Sequence, residues 1–406
     1  MNIIFLTMSR INEVSSRGIY IDLMRKFRDE GHNVYIVTPN ERSFGRPTEL
    51  KQVDGVNVLG VKTLNLRTNN VIEKGLGQVL VESQYKHAIK KYLKGVNFDL
   101  ILYSTPPITF PKVIKYLKQH NKGAKTYLLL KDIFPQNAVD IGMMSKAGIK
   151  GILYHFFRNK EKNLYRMSDY IGCMSPANVE YVLKHNPEVS AERVEVAPNS
   201  IDLVDHNFEP GQLETEHYYI RNKYNLPPKL PIFIYGGNLG KPQGIPFLIQ
   251  CLDANADRTD CHFVVIGSGT ERKKLVAWYD SRHPQSVTVM EKLPKEDYDQ
   301  LASSCDVGLI FLDHRFTIPN YPSRLLPYLE NKMPIIAATD PNCDTGKIAE
   351  ENGYGYWCES NSVDAFTKVV DKMIKSDLKA MGENGYKFLC ENYLVQNTYN
   401  AIISHV

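Results

Sequence analysis

The chain is punctuated by short, unbroken apolar runs, each closed by glycine or a polar loop and each followed by a stretch that reads as helix. In the first half these runs are 3–6 (IIFL), 34–39 (VYIVTP), 98–105 (FDLILYST), 126–132 (TYLLLKD) and 170–175 (YIGCMS). In the second half they are 231–238 (PIFIYGGN), 262–269 (HFVVIGSG), 286–290 (SVTVM), 307–312 (VGLIFL) and 334–339 (PIIAAT). A strand that faces water on one side alternates apolar and polar residues, whereas these do not. They must be covered on both faces, which is the condition of a parallel sheet sandwiched between helices. The helices expected between them run from Ile19 to Glu30, closed by Gly31, from Pro111 to about Lys122, from Ile245 to about Leu252, from Thr270, from Lys295 to Ser304, and from Ser323 to Asn331. The β-loop-α order occurs twice, so the expected fold class is α/β, with two Rossmann-like doubly wound domains facing across a cleft.

A polar stretch at 207–218, containing Glu209-Pro210-Gly211, interrupts the pattern and reads as the linker. With 406 residues the chain has room for two domains of about 200 residues each. The expected division is 1–209, completed by about 387–406, and 210–386. The net charge of +4 conceals an asymmetry: 29 basic against 21 acidic side chains up to Glu209 give +8, and the remainder carries −4. The first half is therefore the one suited to an anionic partner, although scattered surface charge also accounts for the difference. Seven cysteines, never in C-x-x-C spacing, read as free thiols rather than zinc ligands or a disulfide framework. The opening MNIIFLTM reads as a first strand rather than a signal peptide, and no apolar run reaches the ~18 residues of a membrane span. Both imply a cytoplasmic protein.

In such sheets ligands bind beyond the carboxyl ends of the strands, so the loops there carry the chemistry. The most marked of them is IYGGNLGKPQG, 234–244, set between a strand and a helix. Its glycines let the backbone approach a ligand, the following helix start offers N–H groups to a phosphate, and Lys241 adds a cation. The loop is neither a Walker A sequence nor G-x-G-x-x-G, and turns of this kind also serve packing alone.

Together with PNYPSRLLPYLENKMPIIA, 319–337, this loop resembles the retaining glycosyltransferases of the GT-B fold, family 4. More narrowly, it is similar to the bacterial branch that builds capsule and O-antigen repeat units on a lipid carrier. That branch shows Y-x-G-N-x-G-x-x-Q-G after the first strand of the donor domain, matched by Tyr235, Gly237, Asn238, Gly240, Gln243 and Gly244. Its P-S-K-L is matched by Pro322, Ser323, Arg324 and Leu325. GHNVYIVTP, KDIFPQNAVDIG, VAPNSIDL and VIGSGTERKKL extend the similarity over nearly the whole chain.

The resemblance implies a C-terminal donor domain and a last helix, near Glu383 to His405, that crosses back to the first domain. It implies donor contacts from Gly237, Asn238, Gly240, Lys241, Gln243, Gly267, Ser323 and Arg324. Many members carry two glutamates, one contacting the donor sugar and one the ribose. The aligned positions here are Pro319 and Pro327, so neither carboxylate is present. Glu330 lies one helical turn on, where it either substitutes in part or is a solvated helix residue. Negative charge grows on the departing diphosphate, and preorganised donors aimed there lower the barrier; the Arg324 fork is suited to this. The implied reaction is metal-independent and uses no cofactor, the sugar nucleotide, most simply a UDP-sugar, being a substrate. No D-x-D or histidine cluster is present in the sequence.

The acceptor side is assigned to the first domain. The loop Ser15, Ser16, Arg17, Gly18 can approach the diphosphate or the acceptor. Asp132, where relatives have an acidic residue facing the cleft, either binds or deprotonates the acceptor hydroxyl or is simply a turn carboxylate before Pro135. The basic, aromatic-bearing segment 147–166 either packs its apolar stripe on the sheet, the commoner arrangement, or lies on an anionic membrane surface. The expected partners are thus a nucleotide-sugar donor, a polyprenyl-diphosphate-linked saccharide acceptor and the inner membrane surface, to which the protein attaches peripherally, with no nucleic acid. A UDP-sugar 2-epimerase or hydrolase of the same architecture, and a sugar-nucleotide-binding protein without turnover, are the alternatives.

Overall fold

The structure, a computed structural model, describes residues 1–66, 71–203 and 212–406. The chain divides into two compact units, Met1–Asp202 with Tyr393–Val406, and Leu203–Asn392. Of the expected linker, 207–218, residues 207–211 lie outside the described residues, and 212–218 are not linker but the first turns of the helix Gln212–Lys223.

The first unit is built on an eight-stranded sheet in the order β3-β4-β2-β1-β5-β6-β7-β8. Its strands are β1 (Asn2–Leu6), β2 (Asn33–Glu41), β3 (Glu49–Val53), β4 (Val56–Thr63), β5 (Leu100–Ser104), β6 (Lys125–Leu130), β7 (Tyr170–Cys173) and β8 (Val194–Val196). All neighbours pair in parallel except β3 and β4. That hairpin turns at Asp54 and Gly55, with φ 47° and 79°, the left-handed pair a two-residue hairpin loop requires. The helices are α1 (Ile19–Asp29), α2 (Val71–Tyr92), α3 (Pro111–His120), α4 (Gln136–Asp140), α5 (Gly148–Met167) and α6 (Pro176–His185). Apolar side chains of α2, α3, α5 and α6 fill one face of the sheet, and those of α1 fill the other.

The second unit holds a six-stranded, all-parallel sheet in the order β11-β10-β9-β12-β13-β14. In chain order it runs α7 (Gln212–Lys223), β9 (Ile232–Asn238), α8 (Ile245–Ala254), β10 (His262–Ser268), α9 (Arg272–Arg282), β11 (Val287–Met290), α10 (Lys295–Ser303), β12 (Val307–Phe311), α11 (Leu325–Glu330), β13 (Ile335–Thr339), α12 (Thr345–Glu351), β14 (Gly355–Glu359), α13 (Val363–Ile374) and α14 (Leu378–Asn392). The order reverses at β9, which has its successor β10 on one side and β12 on the other. Strands that diverge in this way leave a crevice at their carboxyl ends.

The end of the chain differs from the single helix expected over 383–405. Two helices, α14 and α15 (Val395–Ile403), are separated by Tyr393 and Leu394. Here the Ile201 amide donates to the Tyr393 carbonyl at 3.0 Å and the Val395 amide to the Ile201 carbonyl at 2.9 Å, so strand-like bonds replace helical ones as the chain re-enters the first unit. There α15 packs on α1, with the Tyr399 and Phe27 rings 5.0 Å apart, edge to face.

Candidate functional site

In the second unit the site is organised around the carboxyl end of β9. Gly236 is there because Tyr298 of α10 presses on it: any Cβ would collide with the Tyr298 ring and hydroxyl. The Gly236 amide donates to the Tyr328 hydroxyl at 3.2 Å. Tyr235, Tyr298 and Tyr328 together wall in one cation, Arg324, which precedes α11. Its guanidinium carbon lies 4.3 Å from the centre of the Tyr235 ring, a cation–π arrangement. Gly237, exposed and with φ 123°, lies beside it, and a Cβ there would sit 3.6 Å from Arg324 Nη2.

The charge state of this group is secure. Burial would lower the guanidinium pKa, but the surrounding hydroxyls of Tyr235, Tyr328 and Tyr298 outweigh it and the net shift is upward. Burial in turn drives the tyrosines up, Tyr328 to about 12, so they remain protonated. Nη1 of Arg324 is closed off from solvent and has no hydrogen-bond partner, and among the described residues no carboxylate forms an ion pair with the guanidinium. A buried donor left without an acceptor costs about 1–3 kcal/mol, more when charged. Such a group calls for an anion.

The other expected donor residues surround this point in different ways. Asn238 Nδ2 and the Gly240 amide both donate to Gln243 Oε1, at 3.0 and 3.2 Å, so Asn238 and Gln243 shape the loop from within. The Lys241 side chain is exposed and, among the described residues, forms no ion pair, while its carbonyl accepts the Gly244 amide at 3.0 Å. Gly267 packs against the Gly237 carbonyl, where a Cβ would not fit. Ser323 is exposed just ahead of Arg324. The helix expected from Ser323 to Asn331 begins at Leu325 and ends at Glu330, too short to contribute much dipole, so the guanidinium carries the charge. Glu330 is buried at its far end, about 9 Å along the axis from Arg324. Its burial does not fit the solvated helix residue.

Sequence reasoning did not single out Tyr298, Tyr328 or Asp340. Gly236 and Gly308, each needed because a tyrosine ring occupies the space of a Cβ, are the traces those tyrosines leave. Asp340, fully buried after β13, accepts the Asn342 and Cys343 amides on Oδ1 at 2.9 and 3.1 Å, and its Oδ2 has no partner. Burial raises its carboxyl to about 7.

In the first unit Asp132 follows β6. Its amide and that of Lys131 donate to Thr105 Oγ1, at 3.2 and 2.9 Å, which fixes the turn without using the carboxylate. The Asp132 side chain reaches solvent from among crowded protein atoms, and this partial desolvation raises its pKa to about 6. Lys131 donates from Nζ to the Ala197 carbonyl at 3.0 Å, and burial lowers it to about 7. The loop 15–18 is folded around the buried Asp22, whose Oδ1 accepts the Gly18 amide at 3.1 Å and Arg25 at 2.7 Å. Arg25 also binds the Ser16 carbonyl, and Arg17 donates to the Asp202 carbonyl at 2.8 Å. Ser15 and Ser16 are exposed.

Two families match the chain: "Glycosyltransferase Family 4" over residues 19–205 and "Glycosyl transferases group 1" over residues 219–388. The chain is 23% identical over 335 residues to the probable glycosyltransferase WbjE of Pseudomonas aeruginosa, covering 80% of this chain and 78% of that one. It is 22% identical over 247 residues to the putative colanic acid biosynthesis glycosyl transferase WcaI of Escherichia coli K12, covering 60% and 58%. Among solved structures, sucrose-phosphate synthase from Thermosynechococcus elongatus superposes with a TM-score of 0.75 at 13% identity, covering 99% of this chain and 97% of that one. Anabaena Alr3699/HepE in complex with UDP and glucose gives 0.67 at 15%, covering 100% and 99%. At these identities the likeness establishes the fold, GT-B. A glycosyltransferase family model matches within each unit, and the chain is a glycosyltransferase, a transferase enzyme.

Proposed function

We propose that the protein transfers a sugar from a UDP-sugar to a lipid-diphosphate-linked saccharide in bacterial surface polysaccharide assembly, with retention at the anomeric carbon and without a metal ion. The observation that carries the donor half is Arg324, a permanently charged guanidinium with a buried, unpartnered Nη1, set beside the exposed backbone of Gly237. A diphosphate supplies the missing acceptor, and the same contact strengthens as the leaving diphosphate gains charge. A fixed positive charge does there what a metal would otherwise do. The relative named for colanic acid and the fold neighbour captured with UDP and glucose support the choice of product class and donor.

On the acceptor side Asp132, its carboxyl raised to about 6 by partial desolvation, is ionised at neutral pH and able to accept a hydrogen bond or a proton from the attacking hydroxyl. The lipid-linked acceptor places the reaction at the inner face of the plasma membrane.

The test is calorimetric titration of UDP, followed by incubation of the enzyme with labelled UDP-sugars and extracted lipid-linked saccharides in detergent, with and without EDTA. Label moving into the lipid fraction, with α product from α donor by NMR and no effect of EDTA, is the expected result. Donor consumed at the same rate without acceptor would instead identify a hydrolase or epimerase.

A further inference from the structure

The first unit holds a cavity of about 110 Å³, open to solvent on one side, that neither the donor site nor the Asp132 turn uses. Its walls come from three helices. The segment 147–166, expected either to pack on the sheet or to lie on an anionic surface, falls almost wholly in α5, and its Phe157, Leu164 and Tyr165 pack inward. The side chains of Ile149 and Lys150 lie outside those described. A second face of α5 carries Tyr154, Arg158 and Glu161, spaced i, i+4, i+7, into the cavity wall. α6 adds Tyr181 and His185 at i, i+4, and Ile133 and Gln136 close the cavity from the turn after β6 and the start of α4.

The buried charges in this wall are already matched. Arg158 donates from Nη1 to Glu161 Oε2 at 2.5 Å, and from Nη2 to the His185 carbonyl and Asn186 Oδ1 at 3.0 and 2.6 Å. The other Glu161 oxygen accepts the Tyr165 hydroxyl at 2.7 Å. Arg324 is the opposite case, with a buried nitrogen that has no acceptor, so this cavity does not ask for an anion as that site does. Lys146 stands exposed at the mouth, 5.5 Å from the centre of the Tyr154 ring, where water screens it.

The groups left over are neutral. The Tyr154 and Tyr181 hydroxyls have no hydrogen-bond partner among the described residues, and both feel the same neighbours, Arg158, Glu161 and Asp140, so they converge on one place. Burial raises both phenols, and each keeps a proton to donate as well as lone pairs to accept. The His185 ring lies nearly flat on the Tyr181 ring, 4.0 Å away at 24°, held by a bond from Nδ1 to the Tyr181 carbonyl at 2.9 Å. Aromatic faces beside neutral hydroxyls, with the buried charge paired off, match a sugar ring. Its C–H face lies on a π-surface, and each of its hydroxyls both donates and accepts.

We infer that this cavity is a saccharide subsite, which takes one pyranose of the acceptor next to the unit whose hydroxyl reaches Asp132. The inference rests on the reaction proposed above and adds to it the place where one acceptor saccharide is told from another. A closed cavity of about 150 Å³ holds a benzene-sized ring, so a pyranose enters this one edge first and leaves part of itself in the open mouth. Ile133 in the wall directly follows Asp132, their Cα atoms about 3.8 Å apart, so adjoining sugar units can occupy the two places.

The test is saturation-transfer NMR of the full chain, saturated with UDP, against methyl glycosides of glucose, galactose, mannose, fucose and N-acetylglucosamine. At least one should bind with a dissociation constant of about 1–10 mM, and Tyr154→Phe with Tyr181→Phe, which removes the hydroxyls and keeps both rings, should weaken it about tenfold. Unchanged circular dichroism and UDP affinity show that the variant is folded. In the transfer assay the same variant should raise KM for the lipid-linked acceptor about tenfold, with kcat and the donor KM much less affected. No glycoside bound, glycoside binding unmoved by the double substitution, or calorimetric binding of inorganic phosphate in place of any glycoside overturns the inference. The two ideas fail separately. Transfer with an acceptor KM that the variant does not move removes the subsite and leaves the reaction. A glycoside bound in the cavity, with no transfer from any UDP-sugar, leaves a saccharide site and removes the reaction together with the acceptor role.

Discussion

Replacing Arg324 tests the donor site at its most exposed assumption, that a partly buried cation with no carboxylate partner among the described residues is waiting for phosphate. A guanidinium with a buried, unpartnered nitrogen can form two charge-assisted hydrogen bonds to a diphosphate that reaches it, each contributing about 1.5–3 kcal/mol. The side chain keeps some contact with solvent, so the lower figure applies, and Arg324→Ala should cost about 3 kcal/mol, a rise of about 150-fold in the UDP dissociation constant. Arg324→Lys keeps a charge but not the planar fork and should cost about tenfold. Uridine provides the control: having no phosphate, it should bind wild type and variants alike. The ligand-free protein supplies a second, opposite expectation. An uncompensated buried charge weakens a fold, so Arg324→Met should leave thermal stability unchanged or raise it while abolishing tight UDP binding. Titration calorimetry with UDP and uridine, and a melting curve, read all of these. Equal loss of UDP and uridine binding, or a UDP affinity unmoved by Arg324→Ala, would falsify the assignment.

Lys241→Ala should weaken UDP only about two- to fivefold by calorimetry, because the ammonium is fully exposed and screened. Gly236→Ala forces the Tyr298 hydroxyl out of its place and should destabilise the protein by about 2 kcal/mol in urea titration, with loss of donor binding. Asp340 holds its proton to about pH 7 when folded but only to 3.8 otherwise, so its contribution to stability is complete below pH 4 and lost as pH rises through 7. Asp340→Asn, which keeps the acceptor for the Asn342 and Cys343 amides, should raise the melting temperature at pH 8 and leave it unchanged at pH 4. Transfer activity should rise through about pH 6 as Asp132 ionises, and Asp132→Asn should remove that limb from the rate profile.

The two α/β units were legible because burial on both faces leaves an unmistakable trace, an apolar run without alternation, as in residues 100–103 and 232–235. What escaped was whatever departs from that rule. The hairpin of β3 and β4 is an edge element whose β3, ELKQV, has its middle residues exposed and reads as polar, and its Asp54-Gly55 turn was the only signal. The break at Tyr393 and Leu394 is set by a strand-like contact with Ile201, nearly two hundred residues away, which no local pattern encodes. In the site, Gly237 and Arg324 were readable from their loops, but Tyr298 comes from a separate βα unit and meets Gly236 only through the sheet order β11-β10-β9-β12.

The two prolines at the positions of the family glutamates bear on why Arg324 is unpaired. Pro327 lies three residues after Arg324, on the same side of α11, within reach of an i, i+3 ion pair had it been a carboxylate. Proline is tolerated there because the first turn of a helix has no intrahelical partner for its N–H. A glutamate at this position could have neutralised the guanidinium in the empty site and reached a ribose in the filled one. Proline does neither, so in the proposed site the ribose contact is absent and the cation is left for the diphosphate. Pro327→Glu therefore sets the two effects against each other. If neutralisation prevails, UDP binds less tightly than to wild type and inorganic pyrophosphate loses affinity in parallel. If the ribose contact prevails, UDP gains while pyrophosphate still loses. A pyrophosphate affinity that does not fall in either case refutes the idea that the unpaired charge of Arg324 is what holds the phosphates.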